Sequence, residues 1–322
     1  MEASIMIEKS RLKFFPVSFF ATVMGLAGTS IAFERLSKIF KFEIQNIYIT
    51  LIILCTIWFL FLTFVYLMKF LKYPEEVKKD FLHPVKLNFI PTFSISLILF
   101  SIGYEDLNYN LALTFWILGT IIHFILFLYI VNFWFFKDIK INTKNPAWFI
   151  PAVGNILIPF FGIKVSPELS WFFFSAGIVM WIPLFSILLY RMMFTDPLPL
   201  KLMPTLVILV APPAIGFISY IKITNQIDSF AKVLFYFGFF TFIMLLTFFK
   251  SLVKIPFYLS WWAYTFPSAA FTISVVLYFR LTQIVFFKYL SLIAFLLTTV
   301  LVLIVLIKTI QAATKGEICV ED

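Results

Sequence analysis

The sequence predicts an all-α polytopic membrane protein with ten transmembrane helices. Hydrophobic residues make up 62% of the 322 residues, charged residues only 13%, and the mean hydropathy is +1.02. No soluble fold needs that much apolar surface, so the excess is expected to face lipid. A second observation concerns proline: five times along the chain a bulky apolar residue precedes a proline inside a hydrophobic stretch. The third is the distribution of lysine and arginine, which are concentrated on one side of the membrane if the chain crosses it an even number of times.

Ten apolar stretches are separated by charged or turn-rich segments, and crossing a bilayer takes roughly 20 helical residues. The stretches run approximately over residues 14–34, 47–71, 84–103, 108–136, 146–163, 167–193, 199–221, 229–249, 256–280 and 283–309. We expect residues 1–322 to form a single transmembrane domain, with a short N-terminal segment 1–13 and a C-terminal tail 310–322.

The basic residues predict the orientation. With ten crossings, seventeen of the 25 lysines and arginines lie on the side of the termini. The other eight are Arg35, Lys38, Lys41, Lys164, Lys222, Lys232, Arg280 and Lys288. Because cytoplasmic loops carry the excess of basic residues, both termini are predicted to be cytoplasmic. The net charge of +9 is therefore interpreted as a topological signal and not as a nucleic-acid-binding surface.

The recurrent prolines divide the ten predicted helices into two classes, since all five lie in odd-numbered spans: Pro16, Pro91, Pro151, Pro204 and Pro267. Even-numbered spans are dominated by Leu, Ile, Phe and Val, and only the sixth contains a proline, Pro183. We expect five helical hairpins in a quasi-fivefold arrangement around a central pore. The odd helices would be inner and proline-kinked, and the even helices outer.

A proline inside a helix frees the carbonyl four residues before it, and an unpaired carbonyl is costly in lipid. The carbonyls concerned are those of Leu12, Leu87, Ala147, Leu200 and Ala263. Small and hydroxyl-bearing residues near the prolines also favour an interior position. The predicted lining residues of this kind are Ser18, Thr22, Ser94, Gly154, Asn155, Thr205 and Ser268.

Ionisable side chains are absent from the middle of the predicted inner helices. Ion-coupled transporters place such groups there, so their absence favours a passive conduit. His123 lies in an outer span and is interpreted as a packed residue, and Trp261 and Trp262 as anchors at the membrane interface. The sequence contains no HExxH, Walker A, CxxC or GxSxG motif. We therefore expect no enzymatic activity, no metal site and no cofactor.

Two stretches resemble the tellurite-resistance/dicarboxylate transporter family, which includes bacterial TehA proteins and the slow-type anion channels of plant guard cells. They are Phe15-Pro-Val-Ser-Phe-Phe-Ala-Thr-Val-Met-Gly-Leu-Ala-Gly and Trp261-Trp-Ala-Tyr-Thr-Phe-Pro-Ser. The resemblance covers essentially the whole chain and, given the short termini, is greatest to the bacterial, TehA-like branch, which implies a location in a bacterial inner membrane. It implies a homotrimer with a pore in each subunit, plugged by a phenylalanine of the ninth helix. The matching residue is Phe266, and Phe20 is a second candidate for a constriction.

The function expected from this resemblance is passive conduction of small monovalent anions such as chloride or nitrate. A secondary transporter or exporter of dicarboxylate, sulfite or tellurite-related oxyanions is the alternative. The expected partners are small inorganic anions, the lipid bilayer and other copies of this chain.

Overall fold

The structure is a computed structural model that describes residues 11–43 and 45–320. Within them all regular structure is helical, and nine helices are long and apolar enough to cross a membrane, with a tenth apolar stretch that is shorter. We number these ten segments α1 to α10: Val17–Phe40, Gln45–Lys72, Lys86–Gly103, Tyr109–Phe136, Pro146–Gly162, Pro167–Phe194, Leu200–Thr224, Ser229–Thr247, Leu259–Thr282 and Val285–Thr314. The all-α, polytopic class predicted from composition is therefore confirmed.

Burial alternates along the chain. In their most apolar windows, 67% of α1, 89% of α3, 72% of α7 and 83% of α9 is buried, whereas α2, α4, α6, α8 and α10 range from 22% to 39%. The short segment α5 is buried at every residue. The side chains left exposed on even-numbered helices are mainly Leu, Ile, Phe and Val. Such a surface is suited to lipid, in which exposing an apolar side chain costs nothing.

The helices contact each other in a regular order. Helix α1 packs against α3 and α9, α5 packs against α3 and α7, and α7 packs against α9. Each even-numbered helix packs against the odd-numbered helices on both sides of it, with α10 lying against α9 and α1. The five odd-numbered helices therefore share an interior, and the even-numbered helices cover them.

The odd-numbered helices begin irregularly. Each starts with a 3-10 segment that is followed by α-helix, and in α7 this segment, Leu200–Val210, contains Pro204. The tighter 3-10 pattern supplies donors to carbonyls that proline leaves unpaired. The amides of Phe15, Ile90 and Ile150 donate to the carbonyls three residues before them, which are those of Leu12, Leu87 and Ala147. At three of the five prolines, the residue just before the proline thus replaces the missing donor.

The described ends of the chain meet on one side of the bundle. The Arg11 guanidinium lies against Gly316, where φ is +72° and any Cβ would overlap Arg11 Nη2. An even number of crossings follows from this proximity. Residues 1–10 of the predicted N-terminal segment and 321–322 of the tail lie outside the described residues.

A short helix, Pro74–Leu82, lies between α2 and α3 on the same side. Its Asp80 Oδ2 accepts a hydrogen bond of 2.6 Å from Lys69 Nζ of α2, which also donates to the Phe15 carbonyl at 2.9 Å. Both charged side chains are buried. This ion pair fastens an outer helix and the short helix to the start of α1.

Candidate functional site

Two small cavities follow one another between the odd-numbered helices. Cavity 1 has a volume of about 30 Å³ and cavity 2 of about 10 Å³, taken as the space open to the centre of a water molecule. Each of the five odd-numbered helices contributes side chains to both. A site of this measure needs roughly 10–15 Å³ to hold one water, so neither cavity passes a hydrated ion in this conformation.

The two cavities repeat at a helical interval. In four helices the residues that line cavity 2 follow those that line cavity 1 by seven positions: Ala21/Met24 and Gly28/Ile31 in α1, Ile150/Val153 and Leu157/Phe160 in α5, Ile208/Ala211 and Ile215/Ile218 in α7, and Ala263/Phe266 and Ala270/Ile273 in α9. Seven residues are about two turns, or roughly 10 Å of helix. The cavities are therefore successive levels of one interior path.

Phe266 is the side chain that the two cavity walls have in common. Its ring is buried, with 6% exposed, and packs against the backbone of α1 at Gly28. A Cβ built on Gly28 would lie 3.2 Å from Phe266 Cδ2, so a larger residue there would press on the ring. Because it belongs to both walls, the ring lies at the boundary between the two cavities.

The walls of both cavities are almost entirely apolar. Thr92 in cavity 1 is the hydroxyl-bearing residue among the lining residues of the two cavities, and its Oγ1 donates to the Phe89 carbonyl at 2.6 Å. No ionisable residue belongs to either lining among the described residues. The two cavities therefore present almost only apolar surface to whatever enters them.

Of the residues predicted from the sequence, Phe266 and Pro267 line a cavity. The others line neither of these two cavities: Pro16, Ser18, Phe20, Thr22, Pro91, Ser94, Pro151, Gly154, Asn155, Pro204, Thr205 and Ser268. Their polar groups are mostly turned to the backbone of their own helix, as when Thr205 donates to the Leu202 carbonyl and Ser268 to that of Tyr264. Thr22 accepts a hydrogen bond of 2.7 Å from Trp58 Nε1 of α2.

Phe20, the second constriction candidate, packs away from the cavities. Its ring makes edge contacts with Phe59 and Tyr66 of α2 and with Phe93 of α3, at centroid distances of 5.8, 6.2 and 5.2 Å. Ala21 and Met24 of the same helix line cavity 1 instead. Phe20 thus joins three helices, and Phe266 alone of the two phenylalanines lies on the path.

His123 joins three helices in the middle of the bundle. Its Nδ1 lies 3.0 Å from Ser94 Oγ in α3, and its Nε2 lies 3.0 Å from the Pro151 carbonyl in α5. The ring is fully buried and lies directly against Gly154, where any Cβ would overlap it. With both ring nitrogens engaged, His123 is a packed polar contact behind the cavity walls.

Trp262 was not predicted to be near the path, since a tryptophan close to a helix end is typical of a membrane-interface anchor. It is 2% exposed, lines cavity 1, and donates from Nε1 to Thr309 Oγ1 of α10 at 2.9 Å. The spacing offered a signal, because Trp262 precedes Phe266 by four residues and so shares its face of the helix.

Charged residues gather one turn beyond cavity 2, on the side opposite the termini. Glu105 accepts from Arg35 Nη2 at 3.3 Å and pairs with Lys164 Nζ at 2.5 Å. Asp106 pairs with Lys38 Nζ at 3.1 Å. Partial burial acts to raise the pKa of Asp106, but the Lys38 ammonium outweighs it, so that this pKa lies below its ordinary value. The Asp106 carboxylate is therefore ionised at neutral pH, and both Glu105 and Asp106 are engaged in salt bridges.

Similarity to known proteins identifies the family. Residues 14–310 match the family described as SLAC1, voltage-dependent anion channel. An uncharacterized transporter of Methanocaldococcus jannaschii is 31% identical over 96% of this chain and 98% of its own length. The S-type anion channel SLAH3 of Arabidopsis thaliana is 26% identical over 92% of this chain and 48% of its own length. The tellurite resistance protein TehA homolog of Haemophilus influenzae is 25% identical, over 94% of this chain and 92% of its own length. The chain belongs to the SLAC1 family of voltage-dependent anion channels, in agreement with the resemblance of its first and ninth spans.

Proposed function

We propose that this protein is a passive anion channel that conducts small monovalent anions such as chloride and nitrate. Membership of the SLAC1 family supports anion transport, and the plant relative that aligns with most of the chain is named as an anion channel. The absence of ionisable residues from the described cavity walls supports passive conduction, because coupled transport usually needs a titratable or ion-binding group within the membrane.

The pore of this proposal runs through the interior that α1, α3, α5, α7 and α9 share, with five helical hairpins in a quasi-fivefold arrangement. The order of helix contacts and the repetition of lining positions at two levels support it. Since one chain supplies all the lining residues, each subunit of the proposed homotrimer has a pore of its own. The termini would be cytoplasmic, as the distribution of basic residues predicts.

The gate of this channel is Phe266, and its position in the walls of both cavities is the observation that carries the proposal. An apolar constriction can close a pore by excluding water, without fully filling it. Here the constriction is a single ring between two narrow apolar spaces. Truncation to alanine would join the two cavities, whereas a rotation of the ring would do so reversibly.

The test is the current carried by Phe266→Ala in oocytes or planar bilayers, with Phe20→Ala as the matched control. Phe20 is as deeply buried but lines neither cavity, so its truncation removes packing without joining the cavities. We expect a large anion current for Phe266→Ala and none for wild type or Phe20→Ala. A silent Phe266→Ala protein at normal surface levels, or a current of equal size in Phe20→Ala, would contradict the gate assignment.

The same recordings separate a channel from a transporter of dicarboxylate, sulfite or tellurite-related oxyanions. A channel current reverses at the equilibrium potential of the permeant anion and does not depend on a proton gradient. A transporter would show saturable flux, and a proton-coupled one would need the gradient.

A further inference from the structure

The turn that follows cavity 2 carries the charged mouth of the path. Four residues after cavity-lining Ile31, Ile102, Phe160 and Ile218 come, in order, Arg35, Asp106, Lys164 and Lys222. Arg35 and Lys222 lie within α1 and α7, where residues four apart share one helix face, and Asp106 and Lys164 lie in the turns that directly follow α3 and α5. The equivalent residue of α9 is Leu277. Three of five positions at this level are therefore cationic.

Lys222 differs from the other cations at this mouth. Arg35, Lys38 and Lys164 each form a salt bridge with Glu34, Glu105 or Asp106. Lys222 forms none with the described residues. Its Nζ lies instead 5.0 Å from the centroid of the Phe160 ring, over which the Arg35 guanidinium also lies at 5.9 Å. Since Phe160 lines cavity 2, this ammonium group lies against a ring that belongs to the wall of that cavity.

The position of Lys222 is not explained by helix termination alone. A lysine in the last turn of a helix interacts favourably with the helix dipole, but such a side chain can extend into solvent. Lys222 is half-buried and turned onto a cavity-lining ring. A partly desolvated charge acts on nearby ions more strongly than one in bulk water. Glu105 and Asp106 act on Lys222 through their electrostatic field, but both carboxylates are salt-bridged to other cations. Among the described residues no carboxylate contacts the Lys222 ammonium directly, so a mobile anion can do so.

We propose that Lys222, held over the Phe160 ring, is an anion-binding residue at the non-cytoplasmic mouth, where a small monovalent inorganic anion pauses as it enters or leaves the path. This inference rests on the proposed function, since it treats the bound anion as the permeant one. It identifies a binding position separate from the gate: Phe266 determines whether the path is open, and Lys222 raises the local concentration of anions at one end.

The first experiment measures unitary chloride conductance in planar bilayers on the Phe266→Ala background. Lys222→Gln removes the charge, Lys222→Arg keeps it, and Lys232→Gln removes an exposed charge in the first turn of α8, on the same side of the membrane. We expect Lys222→Gln to lower conductance about threefold at roughly 0.02–0.05 M salt, and Lys222→Arg to preserve it. The difference should disappear near 1 M, where the Debye length is only about 3 Å.

The second experiment does not depend on conduction. Crystals of the wild-type protein and of Lys222→Gln are soaked in sodium bromide, and the anomalous scattering of bromide is measured. We expect a bromide in contact with Lys222 Nζ in wild type and none there in Lys222→Gln.

The outcomes are distinguishable. Equal low-salt conductance of Lys222→Gln and Lys232→Gln overturns the inference, as does a wild-type crystal without bromide at Lys222. Bromide bound there with conductance unchanged means an adventitious ion only, which also overturns it. If Phe266→Ala carries no current at all, the proposed function fails, and the bromide difference alone then decides whether Lys222 binds an anion.

Discussion

The odd-numbered and even-numbered helices of this protein are both apolar, but they differ in regularity and in surroundings. The even helices are long and mostly regular, and they expose side chains such as Leu60, which is 59% accessible. The odd helices begin as 3-10 segments, contain the recurrent prolines and bury most of their surface. A regular helix satisfies its own backbone and can face lipid, whereas an irregular backbone is tolerated only where protein or a cavity surrounds it. The difference teaches that the irregular segments belong to the helices that share the interior and line the two cavities.

The two classes also meet differently. Two glycines of even-numbered helices lie where the helix closely approaches the backbone of an odd-numbered one. A Cβ at Gly119 of α4 would be 3.0 Å from the Ile98 amide nitrogen of α3, and one at Gly177 of α6 would be 2.8 Å from the Ala152 carbonyl of α5. Small residues let helix backbones approach closely in membranes, where packing replaces the hydrophobic effect. Helices α4 and α6 therefore each have one face adapted to an inner neighbour and another that exposes apolar side chains.

The largest effect on stability is expected where an outer helix holds an inner one through charge. Asp80→Asn leaves the Lys69 ammonium buried without its carboxylate, and breaking a buried pair in this way costs about 3–5 kcal/mol. The double variant Lys69→Met/Asp80→Leu removes both charges and should recover much of that loss. Thermal unfolding in detergent, followed by size-exclusion chromatography, measures both. A single variant as stable as wild type would mean that this pair does not fasten α2 to α1.

The architecture was largely predictable from the sequence, because apolar length and basic loops encode crossings directly. Each of the ten predicted spans overlaps one of α1 to α10. The chemistry of the path was less predictable. Hydroxyl groups near the prolines were expected to line it, but Ser94, Thr205 and Ser268 donate to carbonyls three or four residues back. A hydroxyl that is bonded to its own helix backbone is less available to a cavity, and hydropathy patterns do not reveal such local hydrogen bonds.

The proposed gate residue illustrates a second limit of prediction from the sequence. The position of Phe266 among 45 phenylalanines came from a resemblance of the ninth span and not from its own physical chemistry. Phe20 precedes a similar series of small residues, yet its ring is directed to α2 and α3. The rotation of a helix about its axis decides which aromatic faces the centre. That rotation depends on packing against neighbours such as Gly28, which a sequence does not specify.

A pair of glycines sharpens the contrast between inner and outer helices. Gly154→Ala places a methyl group in the His123 ring, so the ring or α5 must shift, at a cost of about 1–3 kcal/mol. Gly238→Ala in α8 meets neighbouring atoms only at 3.5 Å or more, and alanine is the better helix former by about 1 kcal/mol. We therefore expect a lower melting temperature for the first variant and an equal or higher one for the second. The same sign of change in both would show that these glycines do not report inner and outer packing.

The smallest expected effect concerns the cap of an outer helix and its dependence on pH. Asp228 Oδ1 accepts the Ala231 amide at 2.9 Å and Oδ2 accepts the Tyr220 hydroxyl at 2.6 Å. The backbone hydrogen bond from Ala231 is the main reason that the pKa of Asp228 lies below its ordinary value. A carboxylate with a lowered pKa in the folded state stabilises it fully above the unfolded value, about 3.9, and loses that contribution as the pH falls through the folded value. Between about pH 5 and 3, the melting temperature of Asp228→Asn should therefore fall slightly less than that of wild type.

The cap of α4, Asn108, accepts the Leu111 amide with a group that does not titrate, so Asn108→Ser provides a control whose small effect should not vary with pH. A pH profile of Asp228→Asn that is parallel to that of wild type would mean that the cap contributes no acid sensitivity, even on this lipid-facing helix.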